Sequence, residues 1–382
     1  MRYPRCVFAR RPGTQARARA IVIGLSGSLG VVTADSAPAE RSGDWLLLPF
    51  EASRLAPAWI GLGVAVAYPL FVGLVHLLAQ ALLGPGNLLH DPVRFAGTHI
   101  VDGAFLAVLL AGHAQLHLGA VSDLRELRPL LPLADADFGR LVRDVANLSA
   151  PIRRLATIAG AVGGFAIANL DPALQDRFGH LSGGDPRYLL FVAQNVLFGV
   201  FLMRLFAAEV YMTRAYARLG ERVEVDLLDL TKLRVFSRKG LRSALVWVLL
   251  SSILSLFWVL DSAGQANTRI AVMMLGLVVL ALVAPSLGVH RAIAAAKEAE
   301  LRVVAEAIRS ERAATLAPRQ QGGLAEDARL GNLVAYQALV RSFREWPFDL
   351  RTVSRSALLI VLGAGSWLGG AIVERLLDAL LD

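Results

Sequence analysis

Long apolar stretches separated by arginine-rich polar segments form the dominant pattern along this chain. A helix that crosses a bilayer core of about 30 Å needs roughly 20 apolar residues. Seven stretches meet or approach that length: 58–83, 100–121, 155–170, 188–208, 243–260, 269–289 and 356–373. The pattern predicts an all-α, polytopic membrane helix bundle of about seven spans. The short stretch 155–170 would need a locally thin bilayer or support from neighbouring helices.

Composition also favours a membrane protein over a soluble one. The 382 residues are 55% hydrophobic and only 18% charged, whereas soluble domains carry about 25% charged residues. This balance excludes a disordered chain and a fibrous repeat. The single cysteine, Cys6, excludes an internal disulfide and a cysteine zinc cluster.

Basic residues alternate between the segments that flank the spans. Lys and Arg number 8, 1, 6, 2, 8, 1, 11 and 1 in successive segments, with Arg204 inside the fourth span. By the positive-inside rule, this order places the N-terminus in the cytoplasm and the C-terminus outside. We expect a multi-pass protein of the bacterial inner membrane, with the lipid bilayer as its surroundings. The net charge of +8 then follows from topology, and no nucleic-acid partner is expected.

The predicted topology divides the chain into four parts. These are a basic N-terminal segment, 1–56; a six-span region, 57–289, with cytoplasmic loops 122–154 and 209–242; a cytoplasmic helical hairpin, 290–355; and a seventh span with a short external tail, 356–382. The apolar stripes of 290–345 favour a hairpin that packs on itself or on a second copy of the chain in a homo-oligomer. The alternative is a surface for a cytoplasmic protein partner.

The first 44 residues allow three interpretations. An arginine-rich start precedes the apolar run 20–34 and then small residues, an order typical of a secretory signal peptide. Cleavage there would place the loops with six, eight and eleven basic residues outside, which the charge pattern opposes. We therefore favour a cytoplasmic extension, ordered or disordered. A start assigned too far upstream is the third alternative.

Neutral polar residues are the candidates for solute binding. We expect no ionisable residue near the middle of a span, which argues against a proton-coupled pump. The polar positions inside spans four and five are Gln194, Asn195, Ser251 and Ser252. Amides and hydroxyls can exchange hydrogen bonds with an uncharged solute, so these four residues are predicted to bind substrate.

Small residues recur at every fourth position in two spans. They are Ala156, Gly160, Gly164 and Ala168 in the third span, and Gly365 and Gly369 in the seventh. Such faces let membrane helices approach closely. We expect them to mediate helix packing within one bundle; a contact between copies or a moving interface is the alternative.

A histidine pair in span two is the only candidate for metal chemistry. His113 and His117 lie one helical turn apart, within reach of a shared ion, but zinc needs at least a third protein ligand. The predicted topology is similar to that of zinc-dependent intramembrane hydrolases related to alkaline ceramidases, which carry a histidine pair in the last span. The stretch 356–373 contains no histidine. We therefore expect no metal, no cofactor and no catalytic residue.

Two segments resemble known sequences. They are VDLLDLTKLRVFSRKGLRSAL at 225–245, and FREWPFDLRTV with SWLGGAIVERLLD within 343–378. Both are similar to segments of polytopic prokaryotic membrane proteins whose activity is uncharacterised. The resemblance implies an integral membrane protein and no particular activity.

These features support three hypotheses about function. The first, which we favour, is a transport or pore-type protein for a neutral or passively moving solute. The second is a non-catalytic membrane scaffold or signalling partner that acts through the hairpin at 290–345. The third, an intramembrane metal-dependent hydrolase, rests only on His113 and His117. An enzyme is therefore disfavoured.

Overall fold

The computed structural model describes residues 44–53, 55–83, 92–170, 186–261, 267–316 and 324–348, with positions 354, 358 and 361. The chain divides into two compact units, Met1–Arg41 and Ser42–Asp382, and all described residues belong to the second. Their regular structure is entirely helical. The helices are α1 Leu48–Ala52, α2 Pro57–Leu83, α3 Pro92–Leu127, α4 Asp135–Ala146, α5 Ala150–Leu170, α6 Pro186–Gly220, α7 Arg234–Asp261, α8 Asn267–Val283, α9 Leu287–Leu316 and α10 Leu324–Ser342.

Five stretches of the described chain are long and apolar enough to cross a membrane. They are Pro57–Leu82, Ala96–Leu130, Pro186–Gly220, Leu230–Leu256 and Met273–Ala313. The described residues thus confirm an all-helical chain and are consistent with a multi-pass membrane protein, but the count of about seven spans is not confirmed. The predicted span 155–170 belongs to α5, where Arg153 and Arg154 limit the apolar length.

Other expectations concern parts of the chain that the structure does not describe. The predicted seventh span, 356–373, lies outside the described residues except at positions 358 and 361, and Gly365 and Gly369 lie outside them too. The three interpretations of the first 44 residues also fall outside, apart from Asp44. All of these stay predictions.

Apolar side chains cover the outer faces of the helices. Leu62, Val66 and Leu70 of α2 are exposed, and so are Ile158 and Val162 of α5. A soluble monomer rarely exposes such contiguous apolar surface. A bilayer would cover these faces, which agrees with the apolar character of the spans.

Helices α2 and α3 of the bundle run antiparallel. In α2 and α3, Gly61 lies against Ala111 and Gly103 lies against Pro69. Likewise Gly112 of α3 contacts Val246 of α7. We call the end at which α3 and α6 finish and α7 begins the basic end, because the arginines of 122–154 and 209–242 lie towards it. The other end is called the opposite end.

The helices extend well beyond the apolar stretches. Much of the two predicted cytoplasmic connections, 122–154 and 209–242, is helical, because α3 continues to Leu127 and α6 continues to Gly220. The extensions stay helical because their inner faces are buried: Leu124 and Leu127 of α3, and Met212, Tyr216 and Leu219 of α6, join the main core. The connection between α6 and α7 is accordingly short.

The pair α9 and α10 packs against the basic end of the bundle. Pro285 lies in a short 3₁₀ turn, Ala284–Ser286, between α8 and α9. Just beyond it, an added Cβ at Gly288 would overlap the carbonyl oxygen of Ala217 in α6. Backbone thus meets backbone where α9 crosses α6, which fixes the position of α9 on the bundle.

Polar contacts connect the ends of the hairpin. Tyr336 Oη donates to Glu300 Oε1 at 3.0 Å, and Lys297 Nζ donates to the carbonyl oxygen of Phe343 at 3.0 Å. The His290 and Trp346 rings stack with their centroids 4.2 Å apart. The described helices α9 and α10 therefore form a hairpin that folds back on itself.

The small residues of α5 face α6 in the same chain. Ala156, Gly160, Gly164 and Ala168 are the buried residues of α5. An added Cβ at Gly160 would lie 2.3 Å from the carbonyl oxygen of Gly199, and one at Gly164 would lie 2.1 Å from that of Asn195. Both contacts are far too short, so the approach of α5 to α6 depends on glycine at these positions.

We predict that Gly160→Ala destabilises the protein, because its methyl group must push the two backbones apart. Overpacking of this kind costs about 1–3 kcal/mol. Thermal unfolding of the purified protein in detergent would measure the effect as a lowered midpoint. Gly163→Ala is the matched control on the same helix, since nothing lies within 4 Å of its added Cβ. Equal midpoints for the two variants would contradict the packing described here.

Candidate functional site

A cavity of about 330 Å³ lies among α2, α3, α5, α6 and α7, towards the opposite end of the bundle. Helix α6 contributes the most residues to its wall, from Arg187 in the first turn to Leu202. The volume falls at the lower end of the range of about 300–1,000 Å³ typical of small-molecule sites.

Ionisable side chains from three helices line the part of the cavity nearest the opposite end. They are His76 of α2, His99 and Asp102 of α3, and Arg187 of α6. His99 Nδ1 lies 3.1 Å from Asp102 Oδ2, and the His76 and His99 rings lie 5.8 Å apart between centroids. Three of these side chains, His76, Asp102 and Arg187, are buried.

Apolar side chains form the deeper wall. Phe105 of α3 and Phe198 of α6 pack edge to face with centroids 5.4 Å apart. Leu202 of α6 and Leu254 of α7 complete this wall. Phe105, Phe198 and Leu202 lie roughly three to four helical turns further from the opposite end than Arg187. The cavity is therefore polar at one end and apolar at the other.

The structure places the predicted substrate-binding residues in two different environments. Gln194 and Asn195 both line the cavity, between its polar and apolar parts. Asn195 Nδ2 donates to the carbonyl oxygen of Phe191 at 3.0 Å. Ser251 is buried, Ser252 accepts at its carbonyl oxygen from Ser255 Oγ at 2.6 Å, and neither serine is among the lining residues.

His113 and His117 belong to a second polar cluster, nearer the basic end. It forms where α1 and the residues before it insert against α3 and α6. His113 Nε2 lies 3.7 Å from Asp44 Oδ2, and His117 Nε2 lies 4.0 Å from Glu51 Oε1. The space beside them is about 10 Å³, no larger than one water molecule. This cluster therefore has no room for a substrate.

Arg204 is the cation of the second cluster. Its guanidinium contacts the Asp44 carboxylate and lies 5.7 Å above the Trp45 ring. Arg204 lies inside the fourth apolar stretch, and its side chain is only 2% exposed. A neighbouring carboxylate lets the arginine remain inside, since a buried charge is tolerated when paired.

Several contacts hold the Asp44 carboxylate in its ionised form. Burial by itself would raise the pKa of Asp44. The His113 side chain, the Leu46 backbone N–H and the Arg204 guanidinium together outweigh burial and hold this pKa well below its usual range. The Leu46 amide donates to Asp44 Oδ1 at 3.0 Å. The ionised Asp44 carboxylate therefore attaches the residues just before α1 to the bundle.

Two further buried ionic clusters join the helices at the basic end. Lys239 Nζ of α7 donates to Glu209 Oε1 of α6 at 3.0 Å, and Ser243 Oγ donates to Glu209 Oε2 at 2.9 Å. Asp123 of α3 accepts from Arg242 Nη1 of α7 at 3.0 Å. Lys239 and Asp123 have no exposed surface, so these pairs connect helices inside the protein.

Sequence reasoning missed most of this ionic network. Lys239 was assigned to a loop because hydropathy scores any lysine as polar, whatever its partner. The presence of Arg204 within an apolar span was the one available signal, since an ionisable residue there implies a buried partner. His76 lies in the first apolar stretch, and His99 and Asp102 lie beside the start of the second. Nothing in their spacing showed that they share a cavity with Gln194.

No group of three or more metal-binding side chains lies close enough to hold an ion within the described ranges. His113 and His117 lie beside the carboxylates of Asp44 and Glu51. Comparisons with known proteins add no relative: no protein-family model, no curated protein and no solved structure matches this chain.

We predict that Asp44→Asn lowers the stability by about 3 kcal/mol, because it leaves the buried Arg204 charge without a counter-charge. A carboxyl group whose pKa is lowered by folding stabilises the fold at any pH above its pKa in the unfolded chain, which is about 3.9 for Asp. It loses this effect only at lower pH. The difference from the parent protein should therefore not shrink between pH 7 and pH 5.

Thermal unfolding in detergent at both pH values measures this difference. Asp135→Asn is the control, since Asp135 pairs with Arg128 at 2.7 Å but its side chain is 98% exposed. Such exposed pairs contribute little to stability. A loss for Asp44→Asn no greater than that for Asp135→Asn would contradict the importance of the buried contact.

Proposed function

We propose that this chain is a membrane transport protein and that the cavity on α6 is its solute-binding site. The observation that supports this proposal most is the position of Gln194 and Asn195, which line a cavity of about 330 Å³ inside a bundle of apolar helices. A tightly packed bundle would have no such space. Amide groups at this depth offer hydrogen bonds to a solute that has left water.

The packing next to the cavity supports a site that is reached from one side. Towards the basic end, Phe201, Leu205 and Trp247 are buried in the main core. The contact between Arg204 and Asp44 lies in the same region. Under the positive-inside rule, the basic end faces the cytoplasm. The cavity then belongs to a state that is closed towards the cytoplasm, and transport would require that packing to open.

The scaffold hypothesis has less support. Val304 of α9 and Val340 of α10 are buried, so the hairpin uses part of its apolar surface internally. Its exposed apolar residues are Val303, Val334 and Leu339. The spacing of Val334 and Leu339 along α10 does not place them on one face of the helix. Scattered residues of this kind occur on most protein surfaces.

Cysteine accessibility provides a direct test of the binding site. We expect Gln194→Cys, made in a Cys6→Ser background, to react with a membrane-impermeant thiol reagent in proteoliposomes, because the cavity admits water. Leu197→Cys is the control: Leu197 is exposed on the same helix but does not line the cavity, so lipid should protect it. Equal protection of both cysteines would contradict a water-filled site.

Solute flux completes this test. Proteoliposomes of the parent protein should swell faster in glycerol or urea than empty vesicles. Leu202→Trp should reduce the swelling, because the larger ring occupies the deep part of the cavity. Leu197→Trp should leave it unchanged. Swelling no faster than in empty vesicles, with an unreactive cysteine at position 194, would overturn the proposal.

A further inference from the structure

The face of α6 that lines the cavity continues towards the basic end as far as Glu209. Its lining residues include Asn195, Phe198 and Leu202, which follow one another at three or four positions and so share one side of the helix. Glu209 follows Leu202 after two further turns, about 10 Å along the axis. The Glu209 side chain is buried. The cavity and this buried carboxylate therefore lie on the same side of α6.

Helix α7 runs antiparallel to α6 along this face. Ser243 Oγ donates to Glu209 Oε2 at 2.9 Å. One turn further along α7, the Trp247 ring packs edge to face on Phe206 with the centroids 6.2 Å apart. Leu254, two turns beyond Trp247, lines the cavity itself. Trp247 therefore lies between the cavity and the Glu209 carboxylate.

Trp247 is buried without a partner for its polar atom. Its side chain is 2% exposed, and its indole nitrogen has no hydrogen-bond partner within the part of the chain that the structure describes. A buried indole N–H usually has a partner, and an unsatisfied buried donor costs free energy. The ring thus separates the cavity from Glu209, and its N–H is a donor that a passing solute can use.

The polar groups beyond Trp247 form a small cluster around Glu209. Lys239 Nζ, which has no exposed surface, donates to both carboxylate oxygens, at 3.0 and 3.1 Å. Thr213 Oγ1 donates to Glu209 Oε1 at 2.9 Å. Apolar residues in place of a buried ion pair are often equally stable or more stable, so stability alone does not account for this cluster. Its hydroxyls and carboxylate can exchange hydrogen bonds with an uncharged solute.

From this arrangement we propose that an uncharged polar solute leaves the cavity between α6 and α7, passes Trp247 and reaches a second binding site at Glu209, Lys239 and Ser243. Trp247 is the gate between the two sites. The contact of Arg204 with Asp44 lies off this route, since residues two positions apart, such as Leu202 and Arg204, do not share a helical face. The inference rests on the proposed function and specifies the path of its solute.

Swelling of proteoliposomes in glycerol tests the gate on the full chain. Trp247→Ala should raise the swelling rate roughly threefold or more above that of the parent protein, because an apolar constriction limits the passage of polar solutes. Val246→Ala is the control on the same helix. Val246 is also 2% exposed, but its side chain contacts Gly112 of α3, so its truncation should leave the rate unchanged.

A double variant shows whether Trp247 and the cavity act in series. Leu202→Trp fills the deep part of the cavity, so Leu202→Trp with Trp247→Ala should swell as slowly as Leu202→Trp alone. Fast swelling of the double variant would mean that solute bypasses the cavity, and would overturn the inference. Equal acceleration by Trp247→Ala and Val246→Ala would indicate a loosened bundle and would overturn it too.

Cysteine reactivity tests the second site without truncating the gate. In the Cys6→Ser background, Ser243→Cys should react with methyl methanethiosulfonate, a small uncharged reagent, roughly threefold or more faster than Ala244→Cys, because adjacent helical residues point to different sides. Ser243 and Ala244 are 0% and 1% exposed, so burial alone predicts equal rates. Equal rates would therefore contradict a route past Ser243.

The cysteine at position 194 and the swelling of the parent protein are read on the same vesicles. If both succeed while Trp247→Ala and Ser243→Cys behave like their controls, the cavity remains the solute site and only the route along α7 is wrong. If the parent does not swell and position 194 is unreactive, the proposed function fails and the inference fails with it.

Discussion

Charge inside an apolar bundle must be paired, and three buried pairs of the described residues lie towards one end. Asp123 binds Arg242, Glu209 binds Lys239, and the Asp44 carboxylate contacts Arg204. The three contacts connect α3 with α7, α6 with α7, and the N-terminal segment with α6. Because an unpaired charge in such surroundings costs several kcal/mol, each contact fixes which helices are neighbours and at what register.

The opposite end is held together differently. Helices α5 and α6 meet there through glycine, with the Gly164 backbone against that of Asn195. Tyr188 Oη donates to Asn169 Oδ1 at 2.7 Å nearby. The cavity lies among α2, α3, α5, α6 and α7 towards this end. The bundle is therefore tightly packed at the basic end and contains a cavity towards the opposite end.

The general class of fold could be predicted from the sequence because its signal is local. Apolar stretches of sufficient length predict membrane helices, and small residues at every fourth position predict close packing. Polar residues in an apolar span also predicted Gln194 and Asn195 as candidates for solute binding, and both line the cavity. What could not be predicted depends on pairing across the chain. Asp44 and Arg204 are separated by 160 residues, and no periodicity connects them.

The extent of the helices shows the same limitation. Hydropathy ends a span where charged residues begin, yet α6 and α7 continue through Glu209 and Lys239 because the two charges neutralise each other. The cavity is a further example, since its polar end combines residues from α2, α3 and α6. Only the tertiary structure shows that they are close together.

The crossing of α6 and α9 has a mechanical consequence. Gly220 and Gly288 bring the backbones of these helices into direct contact, with an added Cβ at Gly220 only 2.4 Å from the Val289 nitrogen. Helix α6 also supplies half of the residues that line the cavity. A rotation or axial shift of α6 would therefore move α9 with it. A small displacement of α6 beside Gln194 would then become a larger displacement at the far end of the hairpin formed by α9 and α10.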